Sequence, residues 1–348
     1  VLVKADTLLE KVVSDEDGIV KFTKDYPFVA YTAKELKQPA GYVSNDRVII
    51  FNTMYQGQDK RNAEYVREFL NTPTTVEVSK TDITTGREIP GAKLTVYDKD
   101  GNVVDSWESV AGENHIIKRL IVGETYTLRE EMAPYGYLKA EDVQFTVNDT
   151  ADIQKVSMKD DVPTGTIIIH KTGEKLVGSK TLPCGATQFI YEQKPLSGVE
   201  FELYALEDIV RPDGSGEVLI AKDELVSTVI TDFEGKVIVD FLPVGKYYAI
   251  ETSTIEGYVL YKTPIEFDVS YVDQNTKVVY CDKTVKNERQ KVEISIVKKD
   301  SENNEPLADA EFGLYTATDI YTANGQIILK AGSLVETAKS DKDGIAIF

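Results

Sequence analysis

Three lysines close three alternating apolar segments of this chain. Lys80 follows Val76 and Val78, Lys171 follows Ile167 and Ile169, and Lys298 follows Val292, Ile294 and Ile296. Side chains alternate between the two faces of a strand, so each lysine shares a face with the apolar residues before it. If those residues face a core, the amine does too, and an unpaired buried charge is costly. The same parity test turns three glutamates inward: Glu35 with Tyr31 and Ala33, Glu130 with Tyr126 and Leu128, and Glu251 with Tyr247 and Ala249. Asp160 falls in step with Val156 and Met158, and Asn287 with Val285; Asn71 closes the matching segment near the N-terminus.

Three chemistries fit such a set. A buried salt bridge would satisfy the charges at little net gain in stability. Lysines at strand ends can also snorkel to solvent. The third is covalent. A desolvated lysine gives up its proton more readily, and the neutral amine is a nucleophile. The carboxamide of Asn287 or the carboxyl of Asp160 is an electrophile when a neighbouring acid polarises its carbonyl. A buried carboxyl can stay protonated, donate, and then shuttle protons. Folding would hold the partners at effective molarities of roughly 10⁵ M or more. The product is an isopeptide bond, with ammonia lost from Asn or water from Asp. Recurrence of one parity in three places, each with an inward acid, favours the covalent reading.

The elements that position these groups recur along the chain. KADTLLEKVVSDEDGIVKF, from Lys4, is matched at about half its positions by KAGSLVETAKSDKDGIAIF, from Lys330, and more loosely by KDELVSTVITDFEGKVIVDF, from Lys222. Each strand lysine is followed by a second strand: IPGAKLTVY, LSGVEFELY or LADAEFGLY. Each inward glutamate opens a segment ending in Gly-Tyr: ELKQPAGY, EEMAPYGY and ETSTIEGY. Asn71, Asp160 and Asn287 each lie nine to eleven residues before the next lysine. The repeat is therefore cut out of phase. Residues 1–72 read as the C-terminal half of one module, 73–163 and 164–289 as complete modules, and 290–348 as the N-terminal half of another. Short linkers such as NTPTT and DDVPTG should align the modules as a stiff rod.

Short alternating strands punctuated by DEDG, DKDG and DFEG turns predict an all-β chain of tandem β-sandwich modules. The Arg61–Leu70 stretch fits either a short helix or a strand. DxDG also opens calcium loops, but the further oxygen ligands and the twelfth-position Glu of an EF-hand do not follow, so these read as turns. His115 and His170 stand alone and read as strand residues, not metal ligands. No cofactor is implied. Cys184 and Cys281 form neither a disulfide framework nor a metal cluster; a single Cys184–Cys281 bridge and two free thiols are both open.

The 348 residues carry a formal charge of −19, which excludes nucleic acid as the expected partner and suits a soluble, exposed surface. No apolar run is long enough to embed this segment in a membrane. The chain begins at Val1 without an initiator Met and reads as an excised piece, so the lack of a signal peptide carries no meaning.

The stretches VEVSKTD, TLREEMAPYGY and VSMKDDVP, and then IIIHKT, YYAIETSTIEGY and TVKNERQ, resemble tandem collagen-adhesin B-type repeats. These are the prealbumin-like, SpaA-type domains of Gram-positive surface and pilin proteins. YTAKELKQPAGY with EFLNTP, and ISIVKKD, extend the resemblance over essentially the whole chain. It implies an Ig-like or prealbumin-like sandwich in which a first-strand lysine bonds to a last-strand Asn or Asp while a central-strand Glu catalyses. Carried over by motif, this gives Lys80–Asp160 with Glu130 and Lys171–Asn287 with Glu251. Glu35 and Asn71 stand without their lysine, and Lys298 without its acid and amide. Asp160 departs from the commoner Asn.

The resemblance further implies a structural stalk segment of an extracellular, cell-wall-anchored adhesin or pilin-type protein, attached by a sortase. It is not an enzyme beyond its single self-directed turnover, and its immediate partners are the neighbouring modules. Force along the rod would pass through the tie between first and last strands. The rival reading is a module that binds a host matrix protein or glycan; the insertion from Glu174 to Lys194 is the best candidate for such a surface. Trp107, the single Trp, reads as a packed or partly exposed strand residue. A third reading is an accessory β-sandwich of a secreted enzyme. The out-of-phase ends also raise the expectation that two copies link head to tail, Lys298 of one completing Glu35 and Asn71 of the other.

Overall fold

The structure, a computed structural model, describes residues 3–348. The polypeptide alternates between short strands and turns, and among the described residues there is no helix. β1 (Ala30–Lys34) and β2 (Val48–Asn52) pair as an N-terminal antiparallel hairpin. The Arg61–Leu70 stretch adopts neither regular form. Its apolar residues find no sheet to pair with: Val66 and Leu70 are exposed.

A first sandwich follows, made of β3 (Thr75–Asp82), β4 (Lys93–Tyr97), β5 (Val103–Glu108), β6 (His115–Lys118), β7 (Thr125–Met132), β8 (Val143–Thr146) and β9 (Gln154–Asp160). One sheet has the order β6-β3-β9 and the other β5-β4-β7-β8. Between them lie Val76, Val78, Leu94, Val96, Leu128 and Met158. Burying each such side chain contributes about 1.5–3 kcal/mol, which is why strict alternation along β3, β7 and β9 specifies the facing of every residue on them.

The second sandwich comprises β10 (Thr164–Thr181), β11 (Thr187–Pro195), β12 (Glu200–Ala205), β13 (Ile209–Val210), β14 (Val218–Ile220), β15 (Leu225–Ile230), β16 (Lys236–Pro243), β17 (Gly245–Ser253), β18 (Ile265–Val269) and β19 (Val278–Asn287). Its inner sheet is β15-β12-β17-β18. Facing it, β10 pairs with β19 along Thr164–Gly173 and with β16 along Thr164–His170, and beyond Thr172 it continues as a hairpin with β11. Ile167, Ile169, Phe201, Leu203, Tyr247 and Val285 belong to its core. The last unit has β20 (Ser295–Val297), β21 (Glu311–Tyr315), β22 (Ile320–Tyr321), β23 (Ile327–Leu329), β24 (Leu334–Lys339) and β25 (Ile345–Ile347), paired β20-β25, β21-β24 and β22-β23.

First and last strands of each sandwich are parallel neighbours. Lys80 lies level with Met158, and Lys171 level with Val285. The leading Asp of the DxDG segments and of DFEG acts as a turn former: Asp15, Asp98, Asp232 and Asp341 each accept through Oδ1 the amides two and four residues on.

The open question of a Cys184–Cys281 bridge is answered against it, since both thiols are free. Cys281 lies level with Ile167 near the start of β10, whereas Cys184 sits in the turn past Thr181 at the far end of the same strand. At about 3.3 Å per residue, roughly 45 Å of extended chain separates them.

Candidate functional site

Two buried polar clusters occupy equivalent places in the two sandwiches. In the first, β3 brings Lys80 to the core with 2% of its surface exposed, while Glu130 on β7 and Asp160 at the end of β9 are fully buried. Asp160 lies two residues past the level of Lys80, about 6.6 Å along the strand. A lysine side chain spans that offset, so the amine ends against its neighbour's carboxyl. Lys80 Nζ donates to Asp160 Oδ1 in a short contact and lies 3.0 Å from Glu130 Oε1. The backbone amide of Ala140 donates to Glu130 Oε2 at 2.7 Å and fixes that carboxyl. Burial pushes the Asp160 carboxyl up to about 7, against the pull of the Lys80 ammonium.

The second cluster repeats the offset: Lys171 is level with Val285 and Asn287 stands two residues on. Lys171, at 0% exposure, donates to Asn287 Oδ1 at 2.5 Å and lies 2.6 Å from Glu251 Oε2. Asn287 Nδ2 donates to Glu251 Oε1 at 2.5 Å and to Thr254 Oγ1 at 2.7 Å. The rings of Tyr261 and Phe201 stand 5.3 and 5.6 Å from the amine. Burial lowers the proton affinity of Lys171, although Glu251 opposes the shift. The carboxyl therefore touches both the amine and the amide nitrogen that would leave, and apolar walls keep bulk water out.

A third, partial cluster lies near the N-terminus. Asn71 Nδ2 donates to Glu35 Oε1 at 2.8 Å. Glu35 Oε2 and Asn71 Oδ1 are shielded from solvent without a hydrogen-bond partner among the described residues. In the two sandwiches a lysine amine stands at that point. Lys298, just past β20, is exposed and meets none of these groups.

Several contributors are not visible in the spacing of the acids and lysines. Thr254 is three residues past Glu251 inside the ETSTIEGY segment, and its hydroxyl is the signal that was available. Glu88 Oε2 accepts the Lys80 amide at 2.9 Å and anchors the strand behind the amine. Trp107 lies on β5, with one face covered by the His115 ring at 4.0 Å between centroids. His115 Nε2 in turn meets Asp105 Oδ2 at 2.8 Å, and His170 Nε2 meets Asp282 Oδ2 at 3.2 Å. The cavity beside Trp107 and Lys80 has a volume of about 60 Å³, room for a few waters. Among the described residues no group of three or more His, Cys, Asp or Glu gathers to hold a metal.

The family model described as SpaA, prealbumin-like fold domain, matches residues 74–162, 190–284 and 292–348. No curated protein matches the chain. Among solved structures, the Bacillus anthracis TIE protein is similar at 24% identity and a TM-score of 0.49, over 80% of this chain and 45% of that one. The chain thus spans less than half the length of that relative. A streptococcal ancillary pilin is similar at 17% identity and a TM-score of 0.28, over 76% of each chain. The shaft pilin SpaA of Lactobacillus rhamnosus GG is similar at 13% identity and a TM-score of 0.24, over 63% of this chain and 98% of that one. With the family model covering more than half of its residues in three successive copies, the chain belongs to the SpaA prealbumin-like fold domain family.

Proposed function

We propose that this chain is a structural stalk segment of an extracellular, Gram-positive cell-wall surface protein of pilin or adhesin type, made rigid by isopeptide bonds that its own modules form. The modules are residues 73–163 and 164–289, flanked by halves at 1–72 and 290–348. Sortase attachment to the wall belongs to this reading through the family. The observation that carries it is the second cluster, where one buried carboxyl, Glu251, touches both the Lys171 amine and the Asn287 amide nitrogen while the amine rests on the amide oxygen.

The chemistry follows from that contact. The lone pair of Lys171 Nζ attacks Cγ of Asn287, and the C–Nδ2 bond breaks. Glu251 takes the proton the amine sheds and returns it to Nδ2, which leaves as ammonia; Thr254 helps hold that nitrogen in place. In the first cluster Lys80 Nζ attacks Cγ of the neutral Asp160 carboxyl, Glu130 carries the proton, and water leaves. Burial aids both, holding Lys171 toward its neutral form and Asp160 toward its protonated form.

The test is the mass of the intact protein under denaturing conditions. The expected value is the sequence mass less one water and one ammonia, with Lys80→Met restoring the water and Lys171→Met the ammonia. A mass equal to that of the sequence overturns the covalent reading and leaves two buried ion clusters.

A further inference from the structure

We infer that the hairpin of β10 and β11 is a brace that docks on the following unit of the same chain and sets the angle of that joint. It takes over a role played at the two earlier joints by the Gly-Tyr loops. The inference stands on packing alone and needs no covalent bond.

At the earlier joints the loop glycine meets the next unit directly. Gly41 has a φ of +85°, and a Cβ there would lie 2.5 Å from the Arg119 carbonyl oxygen. Thr74 donates its amide to Gly41 O at 3.0 Å, and the Arg119 guanidinium lies 5.9 Å from the Tyr42 ring centroid. Gly136, with φ +89°, would bring a Cβ within 2.5 Å of Pro212 Cβ. Around it, Ala133 and Lys139 donate their amides to Gln274, and Tyr271 donates its hydroxyl to Tyr137 O. Such closeness admits only glycine, on grounds of both space and backbone angle.

The third loop differs. Gly257 has the same φ of +89° and its carbonyl accepts the Gln290 amide at 2.8 Å, as Gly41 accepts that of Thr74, but nothing stands within 4 Å of where its Cβ would be. The hairpin bridges the gap instead. Ala323 of the last unit donates its amide to Leu176 O at 3.3 Å, Ser179 Oγ donates to Ile328 O at 3.3 Å, and Thr187 Oγ1 donates to Leu334 O at 3.0 Å. These three contacts run from the base of the hairpin to near its tip. The hairpin is tied to the linker and to the Gly-Tyr loop as well. The Arg289 guanidinium lies 4.0 Å from the Tyr191 ring centroid, and Tyr258 donates its hydroxyl to Glu174 O at 2.8 Å. The chain leaving Asn287 is thus clamped before it enters the last unit. Neighbouring units with a small interface move relative to one another by default, even where the linker is short, and a lever fixed at both ends restrains that motion.

The test measures the joint in the full chain. Cys184 and Cys281 are replaced by Ser, and spin labels are placed on cysteines at Glu234 and Lys342, both exposed. Pulsed distance measurement on this parent is expected to give one narrow distribution. Two variants remove the docking: replacement of residues 175–194 by Asn-Gly, and Ser179→Arg with Thr187→Arg, which keeps the hairpin. In each the width is expected to at least double, while a label pair across the preceding joint, at Lys99 and Glu207, keeps its width and shows that both sandwiches are folded. An unchanged width across the last joint in either folded variant overturns the brace.

Discussion

The two sandwiches hold their lysine, glutamate and acid or amide alike, yet they diverge at the second residue beyond the lysine. In the first that residue is Asp82. Its Oδ1 accepts the amides of Thr84 and Thr85 and its Oδ2 accepts the Tyr137 hydroxyl, so the strand turns back at once. Burial works to raise the Asp82 carboxyl, but those donors outweigh it and hold it below the ordinary carboxylate range. In the second sandwich the residue is Gly173. A Cβ there would come within 2.5 Å of the Tyr258 ring and 2.7 Å of Leu196. With no carboxylate to gather the next amides, the strand runs on to Thr181 and becomes the hairpin. Asp300 repeats the Asp82 turn in the last unit, accepting the Glu302 and Asn303 amides. One side chain beside an otherwise constant cluster decides whether a unit ends in a tight turn or reaches toward its neighbour.

The sharpest way to break the likeness of the clusters is to remove each amine in turn. The proposed ties close loops of 80 and 116 residues. By the chain-entropy relation for cross-links, each would contribute about 4–5 kcal/mol. Lys80→Met and Lys171→Met are each expected to lower the urea midpoint of their own sandwich accordingly, with the mass changes given above. Loss of stability without a mass change would show that only an ion cluster was removed.

Exchanging the divergent residues comes next. Asp82→Gly loses three hydrogen bonds to a charged group, each worth about 1.5–3 kcal/mol and together partly offset because the carboxylate no longer has to be buried, so at least ~3 kcal/mol of the first sandwich's stability is expected to go with them. Gly173→Asp forces a carboxylate against Tyr258 and Leu196, at a cost of about 1–3 kcal/mol from overpacking alone. Urea unfolding of the two variants reads both. A neutral Gly173→Asp would mean that Tyr258 and Leu196 leave room for a side chain at 173.

The two leaving groups should also separate in their response to pH. Attack on Asp160 needs a neutral carboxyl as well as a neutral amine, so above about pH 7 ionisation of the acid works against the loss of water and cancels what rising pH gains by freeing the amine. Loss of ammonia from the Asn287 site, which has no acid to ionise at the electrophile, should quicken with rising pH. Cell-free synthesis at pH 7 and pH 8.5, sampled by mass over time, distinguishes them. The linkage has the same sign. Asp160 titrates higher folded than unfolded, so its contribution to the stability of an unlinked first sandwich is fullest below about pH 4 and is lost as pH rises through about 7. The smallest effect is expected for Thr254→Val, which removes one hydrogen bond to the leaving nitrogen. Ammonia loss should slow by about fivefold, the rate equivalent of ~1 kcal/mol.

Most of the architecture was legible because strands have a period of two. Val76, Val78 and Lys80 could not change face without turning a whole strand over, and the same holds for Tyr247, Ala249 and Glu251. The arrangement of the joints was not legible. Gly41, Gly136 and Gly257 look alike in sequence, and only packing shows that the first two are pressed against the next unit on the side where a Cβ would stand and the third is open there. The 174–194 insertion stood out by length, but its register and target depend on contacts with residues 323–334, far along the chain. Arg61–Leu70 carried alternation without a partner strand, and periodicity alone does not supply one. Cys281 on β19 lies beside the start of β10 and Cys184 lies past its far end, a distance that residue number conceals.

The parallel placement of β3 beside β9, with Lys80 and Asp160 both near its exit end, bears on damage as well as on strength. If joined there by the proposed bond, residues 80–160 would close a ring through two side chains. A protease that cut the Asp98–Asn102 turn would open that ring without severing the chain. The nicked unit would still connect its neighbours, where an unlinked unit would part.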